Sequence, residues 1–265
     1  MDEDIKRAEI AGHPLLYYDE LDSTNRLARD LGLKGQKSGT IVVAGDQSKG
    51  RGRLGKSWYS APGSGLYFSM ILRPRLPLAE MARITLSAGL ALALAVDRFT
   101  GQAAKLKWPN DLFLAGQKCG GILTETEVHG GAALVILGVG VNVREPEQGF
   151  PADIRERAGA LSQFCHDPQR GDLLRAIVRE LDQLLPRLEG GQWPAIRREW
   201  QERDVTKGRS CTWLTAAGEL ITGIGEGIDD EGQLHIRDGN GRSHPVLSGD
   251  VQLQIDNACR WDGGL

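Results

Sequence analysis

Paired cysteines are missing from this chain. Its four cysteines, Cys119, Cys165, Cys211 and Cys259, stand far apart. Neither a disulfide framework nor a thiolate zinc site is expected, and a reducing cytoplasm fits such usage. The five histidines are scattered as well and form no HExxH pattern. No sign of charge dominates: the net charge is −3 and the isoelectric point about 6.0. The absence of a global basic field argues against bulk nucleic-acid binding, so no DNA partner is expected. Long hydrophobic runs are absent too. The longest nearly apolar stretch, Ile84 to Val96, falls short of the roughly 20 residues a bilayer span requires, so no membrane is expected. The opening Met-Asp-Glu-Asp has neither the basic start nor the apolar core of a secretory signal. Repeats and low-complexity tracts are also lacking. What remains is 265 residues, 40% apolar and 25% charged, which suits one large domain or a main domain with a small satellite.

The pattern along the chain is mixed. Residues 15–19 and 40–45 read as short buried strands, with a helix from Ser23 to Leu31 between them. Ser23 or Thr24 can cap its start and Gly32 can end it. Residues 46–57 are rich in Gly and Arg and read as a loop. A strand over 65–72 precedes a long Ala- and Leu-rich helix from Glu80 to Phe99, buried on most faces. Three strands follow, at 104–108, 120–128 and 132–143, the last two forming a hairpin across His129-Gly130-Gly131. A polar stretch after residue 145 leads to helices over 171–188 and 194–203. From Gly208 onward, short β-like runs alternate with turns at 229–232 and 239–241, as in a small β-barrel. The expected architecture is an α/β (α+β) domain with a mixed sheet and flanking helices over 1–205, and a small β-barrel domain over 206–265.

Five segments carry chemistry. GDQSKGRGRLGKSW, residues 45–58, holds four glycines and four basic residues. Glycines let backbone N–H groups approach a ligand, and arginines add forked, permanent charge for phosphate or carboxylate. The segment does not satisfy the Walker A pattern, and a solvated basic loop or an RNA-binding patch is the plainer alternative. KWPND, residues 107–111, ends a strand at Pro109 and projects Asn110 and Asp111 from a turn. In KCGGIL, residues 118–123, Lys118 stands just before a glycine pair; most lysines so placed are merely solvated. GVGVN, residues 138–142, has glycine at alternate strand positions, clearing space for something flat or allowing close packing, and Asn142 ends the row. The DSTN run, residues 22–25, caps a helix or makes a small polar pocket wall.

No single motif decides. In this order, LDSTN, GDQSKGRGRLGKSW, KWPND, KCGGIL and GVGVN strongly resemble the biotin–protein ligase family, over roughly residues 15–145. The segment TWLT…GIGEGIDDEGQLHI resembles the family's SH3-like end domain more loosely. The resemblance implies an enzyme that activates biotin with ATP as biotinyl-5′-AMP and transfers it to a lysine of a biotin carboxyl carrier protein or domain of a biotin-dependent carboxylase. It implies Ser23, Thr24, Asn25 and Gln47 around the ureido head of biotin, and Gly50, Arg51, Gly52 and Arg53 as the mobile loop that closes over the adenylate. Gly50, Arg51, Gly52, Arg53, Lys118 and Gly121 join the biotin side. Trp58, Asn110 and Asn142 fall on the adenylate side with Arg51, Arg53 and Lys118, Asn142 at the adenine. Lys118, Arg53 and Asp111 are the implied catalytic residues. Mg²⁺ is implied with ATP, and Asp111 is the one candidate metal ligand. Dimerisation through sheet edges is common in the family.

Two departures stand out. Bifunctional family members carry an N-terminal winged-helix domain; here the pattern begins near residue 15, so repressor activity is not implied. The loop reads GRGRLG, with Leu54 where some members have another arginine. Two rivals remain open. A lipoate–protein ligase shares the fold class, but lipoate has no urea and would leave Ser23, Thr24 and Gln47 without partners. A non-catalytic biotin-binding module would not need Lys118, Arg53 and Asp111 together.

Overall fold

Alternation of apolar residues along β-strands decides which face of a sheet each side chain occupies. In the computed structural model, which describes residues 6–129, 132–215, 218–246, 249 and 251–253, eight strands form one mixed sheet. They are β1 (Lys6–Ile10), β2 (His13–Leu21), β3 (Ile41–Gln47), β4 (Gly65–Leu72), β5 (Lys105–Lys107), β6 (Asp111–Leu114), β7 (Gln117–His129) and β8 (Ala132–Asn142), in the order β1-β2-β3-β4-β8-β7-β6-β5. Only β2 and β3 run parallel, because helix α1 (Thr24–Leu33) provides the crossover between them.

The two faces are covered unequally. On one, α2 (Ala82–Thr100) packs on alternate residues such as Ile41, Val43, Phe68, Met70, Leu137 and Val139. Behind α2 lie α3 (Arg170–Glu189), which inserts Leu173, Ile177, Leu181 and Leu184, and α4 (Trp193–Gln201). The segment containing α2 is apolar and long enough by composition to cross a membrane, but 67% of its apolar 18-residue stretch is buried inside this core. On the opposite face, α1 alone covers Val42, Ile71, Leu134 and Ile136. Ten residues of helix span only about 15 Å. The rest of that face, carrying Gly138, Gly140 and Asn142, therefore stays open and becomes the floor of a cavity.

A second, antiparallel sheet of the SH3-like type follows: β9 (Ser210–Leu214), β10 (Leu220–Ile228), β11 (Leu234–Asp238), β12 (Ser243–Val246) and β13 (Val251–Leu253), in the order β12-β11-β10-β9-β13. It shares a continuous core with the first sheet through Cys211, Trp213, Ile228 and Leu234.

Several elements differ from the sequence reading. β1 is an additional strand; its outward residues are charged and only Ile10 is buried, so no apolar alternation announces it. β6 is a further strand, four residues long, and Asp111 begins it instead of projecting from the turn. β7 begins at Gln117, so Lys118 lies within a strand and not ahead of one. Gly32 does not end α1. It lies inside the helix, where a Cβ would come within 2.9 Å of Leu134 Cδ1, so close packing against the sheet accounts for the glycine. Ser23 occupies the N-cap position without a side-chain capping hydrogen bond. The hairpin residues 130 and 131 and the chain beyond 253 lie outside the described residues, but β7 and β8 pair antiparallel from His129↔Ala132 onward.

The junction between the sheets holds a buried carboxyl. Asp204 bridges to Leu106, and its Oδ1 accepts from Thr206 N (2.8 Å) and Thr206 Oγ1 (2.6 Å), while Oδ2 is buried without a partner. Burial pushes this carboxyl up to about 6 from a usual value of 3.8. The folded state thus holds the proton more tightly than the unfolded chain. Stability is lost as pH rises from the unfolded to the folded value, a penalty of about 3 kcal/mol once the group is fully ionised in both states. Asp204→Asn should therefore gain stability relative to the parent at about pH 8, and roughly half of that relative gain should be gone at about pH 5. Urea unfolding at the two pH values checks this; a stability difference independent of pH would refute it.

Candidate functional site

The open part of the sheet, the loop after β3 and the segment after β8 enclose one cavity of about 1440 Å³. It is lined by thirteen of the residues singled out above: Ser23, Thr24, Asn25, Gln47, Arg51, Gly52, Arg53, Trp58, Asn110, Asp111, Lys118, Gly121 and Asn142. Gly50 is the exception. It is buried behind the wall, its carbonyl accepts from Trp58 N (2.9 Å), and a Cβ there would overlap the Trp58 carbonyl.

At one end a polar chain is assembled from α1, β3, β4 and β7, with Ser60 of the loop after β3. Thr24 donates to Gln47 Oε1 through both its backbone N (2.9 Å) and its Oγ1 (3.2 Å), and Gln47 Nε2 donates to Ser60 Oγ (3.1 Å). Ser69 Oγ, fully buried, donates to Asn25 Oδ1 (2.6 Å) and lies 2.8 Å from Thr24 Oγ1. Asn25 Nδ2 donates to Glu125 Oε2 (2.7 Å) and the Leu123 carbonyl (3.2 Å). Thr24 and Asn25 at the start of α1 thus face the sheet, while Ser23 stands at the N-cap without a side-chain capping bond.

The other end is cationic. Lys118 Nζ lies 2.6 Å from Asp111 Oδ1 and 5.5 Å from the centre of the Trp58 ring. Arg53 stacks at 5.9 Å on Trp108, and its Nη1 reaches Asn110 Oδ1 at 3.5 Å. Arg51 turns toward the polar end and pairs with Glu125 at 3.0 Å. Asn110 Nδ2 is bonded to the Ile122 carbonyl and Asn142 Nδ2 to the Gly159 carbonyl, so both amides are held by backbone.

The alternate glycines of β8 have specific occupants. A Cβ at Gly140 would come within 2.7 Å of Trp58 Cε2, and one at Gly138 would overlap the Asn25 amide. The flat object they admit is therefore a side chain of the protein itself. The Trp58 Nε1–H is buried without an acceptor.

Sequence reasoning missed the segment 150–158. Phe150, Ile154, Arg157 and Ala158 line the cavity, and Lys118 is clamped there by its N–H to the Arg157 carbonyl (2.7 Å) and its carbonyl to Gly159 N (3.0 Å). Ser69 and Glu125 were missed as well. Both sit on strands at positions facing α1, a fact visible only once the strands are in register. Among the described residues no three His, Cys, Asp or Glu side chains come together to hold a metal.

A mixed sheet open on one face, with an amide-rich pocket leading into a cationic one and a small antiparallel sheet at its mouth, defines a ligase of the biotin/lipoate class. Residues 17–142 match the Biotin/lipoate A/B protein ligase family, and residues 206–254 match the Biotin protein ligase C terminal domain. The chain is 32% identical over 249 residues to the bifunctional ligase/repressor BirA of Bacillus subtilis, covering 93% of this chain and 76% of that protein. It is 33% identical over 232 residues to the biotin–[acetyl-CoA-carboxylase] ligase of Paracoccus denitrificans, covering 83% and 93%. Among solved structures, the biotin protein ligase from Aquifex aeolicus in complex with biotin and ATP aligns with a TM-score of 0.78 at 29% identity, over 91% of this chain and 99% of that one. This chain belongs to the biotin protein ligase family.

Proposed function

We propose that this protein joins biotin to ATP as biotinyl-5′-AMP and passes the biotinyl group to a lysine of a biotin carboxyl carrier protein or domain. The observation that carries the reading is a single continuous cavity with amide and hydroxyl groups at one end and Lys118 and Arg53 at the other. Its volume exceeds the roughly 300–1,000 Å³ that accommodates one drug-sized ligand, so two substrates fit side by side.

The chemistry follows from charge. A carboxylate oxygen of biotin attacks the α-phosphorus of ATP and pyrophosphate leaves. Two anions must meet, so fixed cations at Lys118 and Arg53 offset their repulsion and stabilise charge on the phosphoryl oxygens. Ser23, Thr24, Asn25 and Gln47 hold the urea, whose two donors and one acceptor match such groups. Trp58 supplies a ring, and Asn110 and Asn142 border the nucleotide, while Arg51, paired with Glu125, stands toward the urea end. Closure of the Gly50–Arg53 loop keeps water from the anhydride. The acceptor amine then attacks the anhydride carbonyl and AMP leaves. With an ordinary pKa of about 10.4 that amine arrives protonated, and Asp111 is the carboxylate placed to draw and relieve it. Mg²⁺ brought with the nucleotide would screen the phosphates, and Asp111 is the side chain that would border it. One carboxylate, already paired with Lys118, fits an ion brought by substrate oxygens and not a resident metal.

Biotin-dependent ATP–pyrophosphate exchange with the full chain tests the reading. Exchange with biotin and none with lipoate is expected. Preference for lipoate would replace the assignment by a lipoate ligase; binding of biotin without exchange would reduce the protein to a binding module.

A further inference from the structure

We infer that Trp108 is a positioning residue that ties the catalytic Arg53 to the C-terminal sheet, so that the seating of that sheet sets the rate of adenylation. The inference rests on the function proposed above and concerns how its cationic loop is held.

Arg53 stands in a three-residue turn that contributes nothing to the core: no residue from Arg53 to Gly55 is buried, and Leu54 is 64% exposed. The turn cannot fix Arg53 by its own packing. Its guanidinium instead lies over the Trp108 ring and reaches Asn110, both in the turn between β5 and β6. A cation within about 6 Å of an indole centre is attracted by the ring's negative face. Trp108 itself is buried, and its Nε1–H donates to the Gly232 carbonyl at 3.0 Å, across 124 positions of sequence. That carbonyl belongs to the turn 229–232 of the C-terminal sheet. The neighbouring Asp230 carbonyl accepts from Trp193 Nε1 and Arg83 Nη2, and the Asp230 carboxylate pairs with Arg197 at 2.8 Å. Gly232 has φ +84°, and a Cβ there would come within 2.8 Å of Leu86 Cδ1, so the turn fits against α2 in one way only. Tightly packed contacts therefore run from α2 and α4 through the 229–232 turn to the indole, and the indole ends under the loop cation.

Three variants of the full chain test this: Trp108→Leu, which removes the ring; Trp108→Phe, which keeps a ring but loses the bond to Gly232; and Gly232→Ala, which disturbs the turn about as far from Arg53 as the chain of contacts extends. Pyrophosphate exchange is expected to fall in kcat by about 10-fold for Trp108→Leu, as loss of one desolvated cation–π contact permits, with less loss for Trp108→Phe and with KM for biotin nearly unchanged. Combined with Arg53→Met, neither Trp108→Leu nor Gly232→Ala should cause a further loss, because residues acting through one group are not additive. Tryptic cleavage after Arg53 in the ligand-free protein, a readout independent of activity, should quicken in Trp108→Leu and Gly232→Ala. If the fold-losses multiply in the double variants, or cleavage after Arg53 is unchanged in the folded Gly232→Ala protein, the inference is overturned. Absence of exchange in the parent chain would instead count against the proposed function.

Discussion

Lys118→Met is expected to slow biotin-dependent pyrophosphate exchange by about 10²–10³-fold, equivalent to roughly 3–4 kcal/mol of lost transition-state stabilisation. Methionine keeps most of the length and apolar stem of lysine and removes only the charge. The ammonium sits 2.6 Å from Asp111 and above the Trp58 ring, so it is held at one point of the cavity instead of sweeping through solvent. Its backbone is pinned on both sides, through the Arg157 carbonyl and Gly159 N–H, which fixes the root of the side chain. A cation so fixed needs no reorganisation when negative charge gathers on the phosphoryl oxygens. Arginine at the same position should not restore the rate, because a planar fork cannot take the place of a compact point charge beside Asp111. Biotin affinity should fall too, since the carboxylate loses its counter-charge. Exchange kinetics and a biotin titration on the purified variant measure both effects. A variant within three-fold of the parent in each would remove Lys118 from the mechanism.

The parts of this site legible in the sequence are those whose chemistry is local. A loop with four glycines and four basic residues announces an anion site because composition alone sets its charge and backbone freedom. The long helix α2 was legible from its Ala- and Leu-rich run, and every residue from Ser87 to Ala93 is indeed buried. The strands β1 and β6 were not. One is an edge strand with a charged outer face, and the other follows so closely on Pro109 and Asn110 that turn chemistry masks four residues of strand. The DSTN run reads equally well as a cap and as a pocket wall. What decides is Ser69, 45 positions from Thr24, and Glu125, 100 positions from Asn25. The segment 150–158 carries no pattern at all. It gains its place by pairing with Lys118, and neither partner's spacing hints at the other.

Gly138→Ala is expected to raise the KM for biotin by about 10²-fold while leaving the cationic end of the cavity intact, because it strikes the one side chain that closes the amide pocket. A methyl at this position would overlap the Asn25 Oδ1, and nothing around that amide can give way. Its Nδ2 is held by Glu125 and the Leu123 carbonyl, its Oδ1 by the fully buried Ser69, and its backbone by the start of α1. Displacing the amide removes one hydrogen bond each from Ser69 and Glu125, which keep Thr24 Oγ1 and Arg51, at a cost of about 1 kcal/mol per lost bond. The displaced side chain also moves into the space that the urea would occupy. Gly140→Ala, by contrast, meets the edge of the Trp58 ring, which belongs to the nucleotide end. The two glycines stand only two residues apart on β8, yet their substitutions should divide cleanly, Gly138→Ala acting on biotin and Gly140→Ala on ATP. Steady-state kinetics with each substrate varied in turn reads the division. Equal effects of both substitutions on both KM values would mean that the glycines serve only the packing of the sheet and that the two ends of the cavity are not separate half-sites.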